Sequence, residues 1–286
     1  ETKWLSWIGP WSFHSFIGRM EEERTVPNPY LWGMRGEVKP TILSGLEVGF
    51  FRMIQLGGDG RPEGFSAWTD AFLSQDNFGA NTGNNDRSKE PGNQLAGIDL
   101  RWQFMDAPLA FYGQVVGEDE DKFFPNCLMF QYGIETWTNL KNSTLRIFAE
   151  YADLTSYWWT DDPRTRNISY GHHIYNDGYR YRGRPVGHWA DQDSQILSVG
   201  GVLQKGNGIG WGTTLRTGNL NEDGGGQSSV SNGVTTDYFS IDVFNSRKYP
   251  AYGLSVNTSF GWESLQPKGG KTDDGLAGYL TLTRTF

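Results

Sequence analysis

One stretch of the chain, from Tyr157 to Ser194, brings together the residue types that bind sugars. It contains aromatic rings, arginines and acids, and neither a helical nor a strand period runs through it. Flat C–H patches of a sugar stack on aromatic faces, while its hydroxyl and carboxylate groups pair with acids, amides and the guanidinium fork. Because a disordered linker is poor in aromatics, we interpret this stretch as an ordered binding loop.

A second long interruption, from Gly57 to Asn93, carries the same mixture of groups. We expect the ligand contacts to come from aromatic and arginine side chains of the first stretch, and from an acid and an arginine of the second. These candidates are Trp158, Trp159, Tyr175, Tyr179, Arg180, Arg182, Arg184 and Trp189, together with Asp59 and Arg61. The alternative is that the same side chains pack the loop onto itself or fill the space beneath it.

The elements that hold these loops are short segments in which apolar and polar residues alternate, as in strands. In the clearest of them, Ile98 and Leu100 lie on one side while Asp99 lies on the other. A second segment, from residue 46 to 56, has an apolar face that only Arg52 interrupts. Such segments predict half-buried strands.

The composition favours a β-rich protein with many turns. The 286 residues include 38 glycines, and 15% of the chain is aromatic. No segment approaches the roughly 18 consecutive apolar residues of a membrane helix, but the alternating strands of a membrane barrel show no such run either. The net charge of −8 argues against nucleic acid as a partner, since that requires a basic surface.

The spacing of the connections predicts the architecture. Short turns near residues 9, 42, 107, 142, 207 and 249 alternate with longer loops near residues 25, 75, 122, 175, 227 and 268. An outer-membrane barrel has this asymmetry, with its long loops extracellular. The polar face, with residues such as Arg146 and Glu150, suits a wet barrel interior better than the apolar core of a soluble β-sandwich. We therefore predict an all-β fold, an antiparallel transmembrane β-barrel of the outer-membrane type.

The strand count predicts an incomplete barrel. About thirteen strands can be recognised, the first from Trp4 to Ile8 and the last from Leu276 to Phe286. Bacterial single-chain barrels have an even number of strands, and both termini lie on the periplasmic side. We therefore expect residues 1–286 to form one barrel domain that is the C-terminal part of a larger barrel.

Other chemistries are less well supported by the residues. His172, His173 and Asp177 suggest a metal site, but adjacent histidines on an extended chain point to opposite sides. A membrane-embedded lipase would carry its catalytic groups on the barrel wall, whereas Ser169 and His172 lie in a loop. The acidic run at residues 118–121 could hold calcium, but we interpret it as a solvated loop. We therefore expect no enzyme activity, no cofactor and no metal.

Several stretches resemble one family, the Wzi-type capsule assembly proteins of the bacterial outer membrane. They lie between Trp4 and His188 and read WLSWIGPW, MIQLGGDGRPEGFSAW, EPGNQLAGIDL, FYGQVVGEDE and HHIYNDGYRYRGRPVGH. The resemblance implies a Gram-negative outer-membrane barrel of about eighteen strands, within the usual even-numbered range, and a helical bundle on the periplasmic side. The helical bundle and the first strands are not recognisable in this sequence.

The function that the resemblance implies is that of a surface lectin. Proteins of this family retain capsular polysaccharide on the cell and help to assemble the capsule, so the expected partners are capsular polysaccharide and outer-membrane lipid. The alternative is a porin or a sugar-specific channel, because charged residues on the inward face are also compatible with a conducting lumen.

Overall fold

A computed structural model describes residues 8–73, 92–121, 124–156 and 166–285, and within these ranges the fold is nearly all β. Twelve strands form one antiparallel sheet in which each strand pairs with the next of these twelve along the chain. In chain order the strands of the molecule are β1 (Trp11–Arg19), β2 (Tyr30–Val38), β3 (Leu46–Leu56), β4 (Gly92–Gln103), β5 (Leu109–Asp121), β6 (Phe124–Leu140), β7 (Ser143–Asp153), β8 (Arg180–Tyr181), β9 (Arg184–Pro185), β10 (Gln195–Lys205), β11 (Ile209–Leu220), β12 (Thr236–Tyr249), β13 (Leu254–Pro267) and β14 (Asp273–Arg284).

Three smaller elements lie outside the twelve-stranded sheet in the described residues. The strands β8 and β9 form a separate two-stranded hairpin, and a short 3₁₀ helix spans Pro250–Tyr252. One α-helix, α1 (Phe65–Phe72), lies in the connection between β3 and β4. Within the described ranges, no helix is long and apolar enough to cross a membrane.

The predicted strands are confirmed in type and order, with corrections at three places. The connection near residue 268, predicted as a long loop, spans only residues 268–272 and is as short as the turn at residues 104–108. The acidic run at residues 118–121 belongs to β5, which pairs with β6 up to the partners Asp121 and Phe124, so this part of the chain is an extended hairpin and not a solvated loop. The helix α1 is absent from the sequence prediction. Of the predicted first strand, residues 4–7 lie outside the described residues.

The sheet has an apolar face and a charged face, as the alternation predicts. Ile98 and Leu100 are exposed on the first, which we call the outer face. On the other, which we call the inner face, Arg35 donates to Asp99 at 2.6 Å, and Glu135 accepts from both Arg101 and Arg146 at 2.6 Å. Ion pairs between adjacent strands, and between strands two apart, therefore neutralise charges on the inner face.

One long connection folds over the inner face and shows that the sheet is curved. We call residues 166–194 the inserted loop. Its Tyr179 hydroxyl bonds to the carbonyl of Met53 in β3, and its Trp189 ring lies 5.0 Å from Tyr238 in β12. In a flat sheet, β3 and β12 would be separated by seven strand spacings, on the order of 34 Å. A single loop reaches both, so the sheet bends around it like a barrel wall.

The main buried cluster joins the inserted loop to this wall. Inner-face side chains of β4, β6, β10, β11 and β12 pack against the loop's Tyr170, Tyr179 and Ala190. Fully burying one large apolar side chain stabilises a fold by about 1.5–3 kcal/mol. The wall members of the cluster are Leu95, Met129, Ile196, Leu220 and Tyr238. The described part of the loop is therefore a packed element of the fold.

Candidate functional site

Two of the predicted ligand residues hold the inserted loop in place. The Tyr175 ring is fully buried, and its hydroxyl donates to the carbonyl of Gly57 at 2.9 Å. The Tyr179 ring is also buried, and its hydroxyl donates to the carbonyl of Asn93 at 2.7 Å. Neither ring is accessible to a polymer outside. We therefore assign both tyrosines to the support of the loop, in place of the direct ligand contact that their residue type suggests.

Arg180 has a similar supporting role. Its buried guanidinium donates to the carboxylate of Asp191 at 2.7 Å and to the side-chain oxygen of Gln192 at 3.0 Å. From the β1–β2 connection, Arg24 donates to the carbonyl of Gly178 at 2.9 Å. Removing one partner from a buried ion pair costs about 3–5 kcal/mol because a charge is left uncompensated. These arginines therefore fasten the loop to its neighbours.

The inserted loop borders an open cleft at the end of the sheet where the long connections lie. The cleft has a volume of about 950 Å³, near the upper end of the roughly 300–1,000 Å³ of ligand-binding clefts. It lies between the β1–β2 connection, the inserted loop and the β11–β12 connection. We call it the polar cleft; its lining residues are Glu21, Glu22, Glu23, Thr25, Asn176, Asp177, Arg180, Arg182, Gly183, Gln227 and Ser229.

The polar cleft is rich in hydrogen-bond acceptors. Three consecutive glutamates, at residues 21–23, line it together with Asp177. Burial opposes the ionisation of Asp177, but the N–H of Thr25 at 2.6 Å and the nearby charge of Arg24 outweigh this effect and hold the pKa of the carboxyl below its usual value. Ionised acids accept hydrogen bonds from sugar hydroxyls, so the cleft suits hydroxyl-rich ligands.

A tight hairpin presents the exposed cation of this site. Arg182 and Gly183 both have positive φ angles, 50° and 73°, as a two-residue turn between β8 and β9 requires. The Arg182 guanidinium lies over the Tyr181 ring, 5.5 Å from its centroid, and both side chains are exposed. Arg184 is exposed on the same hairpin. Tyr181 is missing from the predicted ligand residues. Because side chains alternate along a strand, it lies on the face opposite to that of the buried Arg180, and this alternation could have identified it.

Trp189 lies in a different place from Arg182. Its ring is 38% exposed, but it lines a largely apolar cavity of about 570 Å³ beneath the inserted loop. The Arg216 guanidinium on the inner face lies 5.9 Å from its ring centroid. The structure therefore does not bring Trp189 into the polar cleft.

The remaining candidates lie apart from the cleft or outside the described residues. Asp59 is exposed and accepts from the side-chain amide of Asn28 at 3.2 Å, while Arg61 follows in the same turn. Neither of them lines the polar cleft. Trp158 and Trp159 lie outside the described residues.

The histidines of the loop do not form a catalytic or metal-binding group in the described structure. The rings of His172 and His173 lie 4.4 Å apart, which corrects the expectation that they point to opposite sides, because this segment is a turn and not an extended chain. The Ser169 hydroxyl donates to the carbonyl of Leu154 at 2.5 Å. Among the residues that the structure describes, no three His, Cys, Asp or Glu side chains are grouped to hold a metal ion.

The chain is similar to known proteins of one family. The model of a family described as capsule assembly protein Wzi matches residues 1–265. A 55.8 kDa protein in the cps region of Klebsiella pneumoniae is 41% identical over 138 residues, which is 47% of this chain and 26% of that protein. The solved structure of Wzi from Escherichia coli, described as an outer membrane protein involved in group 1 capsule assembly and a carbohydrate-binding β-barrel, is 28% identical, with a TM-score of 0.77 over 100% of this chain. This chain spans 59% of the length of that structure.

Proposed function

Since the chain belongs to the Wzi capsule assembly family, we propose that it acts as an outer-membrane surface lectin that binds and anchors capsular polysaccharide and helps to assemble the capsule. The match covers most of the chain, and the similar Escherichia coli protein is described as a carbohydrate-binding barrel. Family membership supports a location in the outer membrane of a Gram-negative cell and polysaccharide as a partner. The proposal adds outer-membrane lipid as the second partner.

The observation that supports this function best is the combination of a rigid loop with an open cleft. Tyr175, Tyr179 and Arg180 are buried and bonded to distant parts of the chain, so the loop has one defined position. Beside them, Arg182 lines the polar cleft and is exposed, with the exposed Tyr181 next to it in the hairpin. A preorganised surface binds a flexible polymer more tightly because less ordering is needed on binding.

The asymmetry of the connections supports an extracellular position for the cleft. The connections at the opposite end of the sheet are short, as periplasmic turns are, whereas the cleft lies among the long connections. The outer face exposes apolar side chains such as Ile98 and Leu100, which fit contact with lipid chains. The acidic cleft and the net charge of −8 are unsuited to nucleic acid.

The porin alternative is less favoured by the inner face. A porin keeps an aqueous path along its interior. Here the described part of the inserted loop packs against strands from β3 to β12, and ion pairs join the charged side chains below it. A catalytic role has no better support, because the Ser169 hydroxyl is bonded to a main-chain carbonyl and not to a histidine.

The proposed function predicts that loss of the exposed cation weakens polysaccharide binding. We expect the Arg182→Ala variant, in bilayer discs, to bind the native capsular polysaccharide more weakly than the unchanged chain in calorimetric titration. Arg247→Ala is a matched control, because Arg247 also lies over a tyrosine ring, that of Tyr249 at 5.2 Å, but at the short-turn end. Equal binding by both variants would remove Arg182 from the site, and an absence of binding by the unchanged chain would refute the lectin function.

A further inference from the structure

The helix α1 lies on the outer face of the sheet. Met53 and Gln55 of β3 lie on the inner face, where Met53 lines the cavity beneath the inserted loop and Gln55 contacts Met20. Side chains alternate along a strand, so Ile54 and Leu56 lie on the outer face. Ile54 and Leu56 are nevertheless fully buried, because Ala67 and Ala71 of the helix pack on them. The helix therefore covers the outer wall where β3 meets its long connection.

The helix also accounts for the charged residue on this wall. Arg52 is the one charged side chain on the outer face of β3. Its guanidinium donates to the carbonyls of Ala71 at 2.7 Å and Phe72 at 2.6 Å, and to the side-chain oxygen of Gln94. The last carbonyls of a helix form the negative end of its dipole. An arginine on a lipid-facing wall costs about 2–4 kcal/mol at the membrane centre but only about 0–1 near the interface, so this position suits the membrane edge.

The side of α1 that points away from the wall is apolar. Phe65 is 84% exposed, and Phe72 and Leu73 are about half exposed. An apolar helix surface of this kind would be unfavourable in water. Below it on the same outer face, Phe50 and Ile98 are also exposed, about 13 Å along the strand from the helix. The apolar surface of the barrel wall thus continues onto the helix.

Aromatic rings surround the helix in the pattern of a membrane interface. The ring of Trp32 on β2 stacks on Phe72 with centroids 5.7 Å apart, and Trp68 of the helix lies 5.4 Å from the ring of Tyr30. Trp and Tyr concentrate where lipid head groups meet acyl chains, because their rings are apolar and their N–H and O–H groups are polar. Ser66, Thr69 and Asp70 supply the polar residues of the helix.

We propose that α1 is an interfacial anchor, lying in the outer leaflet of the membrane with Phe65, Phe72 and Leu73 among the lipid chains and Arg52 at the level of the head groups. The anchor fixes the depth and tilt of the barrel rim that carries the polar cleft. The partner of this surface is therefore lipid, because its exposed side chains Phe65, Phe72 and Leu73 continue the lipid-facing wall. Ser66, the exposed polar residue of the helix, is uncharged, and the charged residue Asp70 is half-buried. This inference rests on the proposed outer-membrane location and deepens it.

Fluorescence quenching in bilayer discs tests the anchor. The chain has one cysteine, Cys127, which is buried and can be removed as Cys127→Ser. Phe65→Cys and Leu73→Cys then carry a polarity-sensitive label one at a time, with Phe50→Cys on the outer wall and Arg182→Cys on the hairpin as controls. We expect lipids brominated in their acyl chains to cause a loss of emission at residues 65, 73 and 50 but not at 182, and aqueous iodide to do the reverse.

The two controls separate the possible failures. If residues 65 and 73 respond like residue 182, or respond to neither quencher, the helix lies in water or under another part of the chain and the anchor is refuted. If the label at residue 50 also escapes the brominated lipid, the membrane location fails and the anchor fails with it. Because two helix positions are labelled, a folding defect of one variant leaves the other as the test.

Discussion

Replacing Asp193 by asparagine is expected to tighten the inserted loop at neutral pH and to change nothing near pH 4. Asp193 is fully buried where the loop returns to the sheet, and its carboxylate accepts from the N–H of Asp223 at 2.9 Å. Burial raises the pKa of this carboxyl from 3.8 to about 6, and the nearby charges of Asp223, Glu222 and Asp153 add to the effect. Asparagine keeps an acceptor oxygen and tolerates the positive φ of 53° at this position.

The size of the expected effect follows from the difference between the pKa of Asp193 in the docked loop and its pKa in the open chain. A carboxyl whose pKa is higher in the docked loop than in the open chain disfavours docking above its folded pKa, and this penalty disappears as the pH falls below the unfolded value. A shift from 3.8 to about 6 corresponds to roughly 3 kcal/mol, or about a hundredfold in the opening equilibrium. The unchanged chain therefore carries this penalty at pH 7 and loses it between about pH 6 and pH 4.

Hydrogen exchange measures this opening directly. We expect amides of residues 166–194 to exchange up to about a hundredfold more slowly in Asp193→Asn at pH 7.5, and at the same intrinsic-rate-corrected level as in the unchanged chain near pH 4. Asp177→Asn is the matched control of opposite sign, because a lowered pKa stabilises docking at neutral pH. An equal effect of Asp193→Asn at both pH values would refute the electrostatic reasoning.

Three further changes test the docking of the loop. Burial and the nearby Arg216 lower the pKa of His188 to about 4, so the contribution of His188 to docking should be lost as the pH falls from 6.5 to about 4, opposite in sign to that of Asp193. In the Asp193→Asn background, acidification should therefore speed hydrogen exchange, and adding His188→Gln should abolish this dependence. Gly178→Ala should expose the loop to trypsin, because an added Cβ would lie 1.7 Å from the carbonyl oxygen of Tyr170, whereas Gly183→Ala meets nothing within 4 Å and should cost only about 1–2 kcal/mol through its positive φ. Tyr179→Phe should speed exchange by the equivalent of about 1–3 kcal/mol, because it leaves buried carbonyls without a donor; unchanged exchange would contradict that role.

The strands could be predicted because alternation is a local property. Side chains of successive residues in a strand point to opposite faces. The alternation of Ile98, Asp99 and Leu100 therefore predicts an apolar face and a charged face from the sequence alone. Turns and loops follow from glycine, proline and asparagine at the ends of these segments. The eight-residue helix α1 could not be predicted in this way, because a short helix without a side-chain N-cap gives almost no periodic signal. It is stabilised by its packing on Ile54 and Leu56, which lie outside the sequence pattern of the helix itself.

The candidate site was less predictable, because neighbouring residues of the same loop have opposite environments. Tyr179 and Arg180 are buried, whereas Tyr181 and Arg182 are exposed. The residue types are alike in the two pairs, so composition identifies a sugar-binding loop but cannot assign its members. Trp158 and Trp159, which lie outside the described residues, stay predictions.

The alternating strands, the short turns at one end of the sheet, the family resemblance and the presence of a loop rich in sugar-binding residue types can all be read from the sequence alone. Only the tertiary structure decided which side chains of that loop support it and which face the polar cleft. The physical reason is distance along the chain: Tyr175 is bonded to Gly57, 118 residues earlier, and Arg24 to Gly178, 154 residues later. A side chain is buried by groups that folding brings next to it. Because those groups are distant in the sequence, the residues around the side chain in the sequence do not indicate its burial.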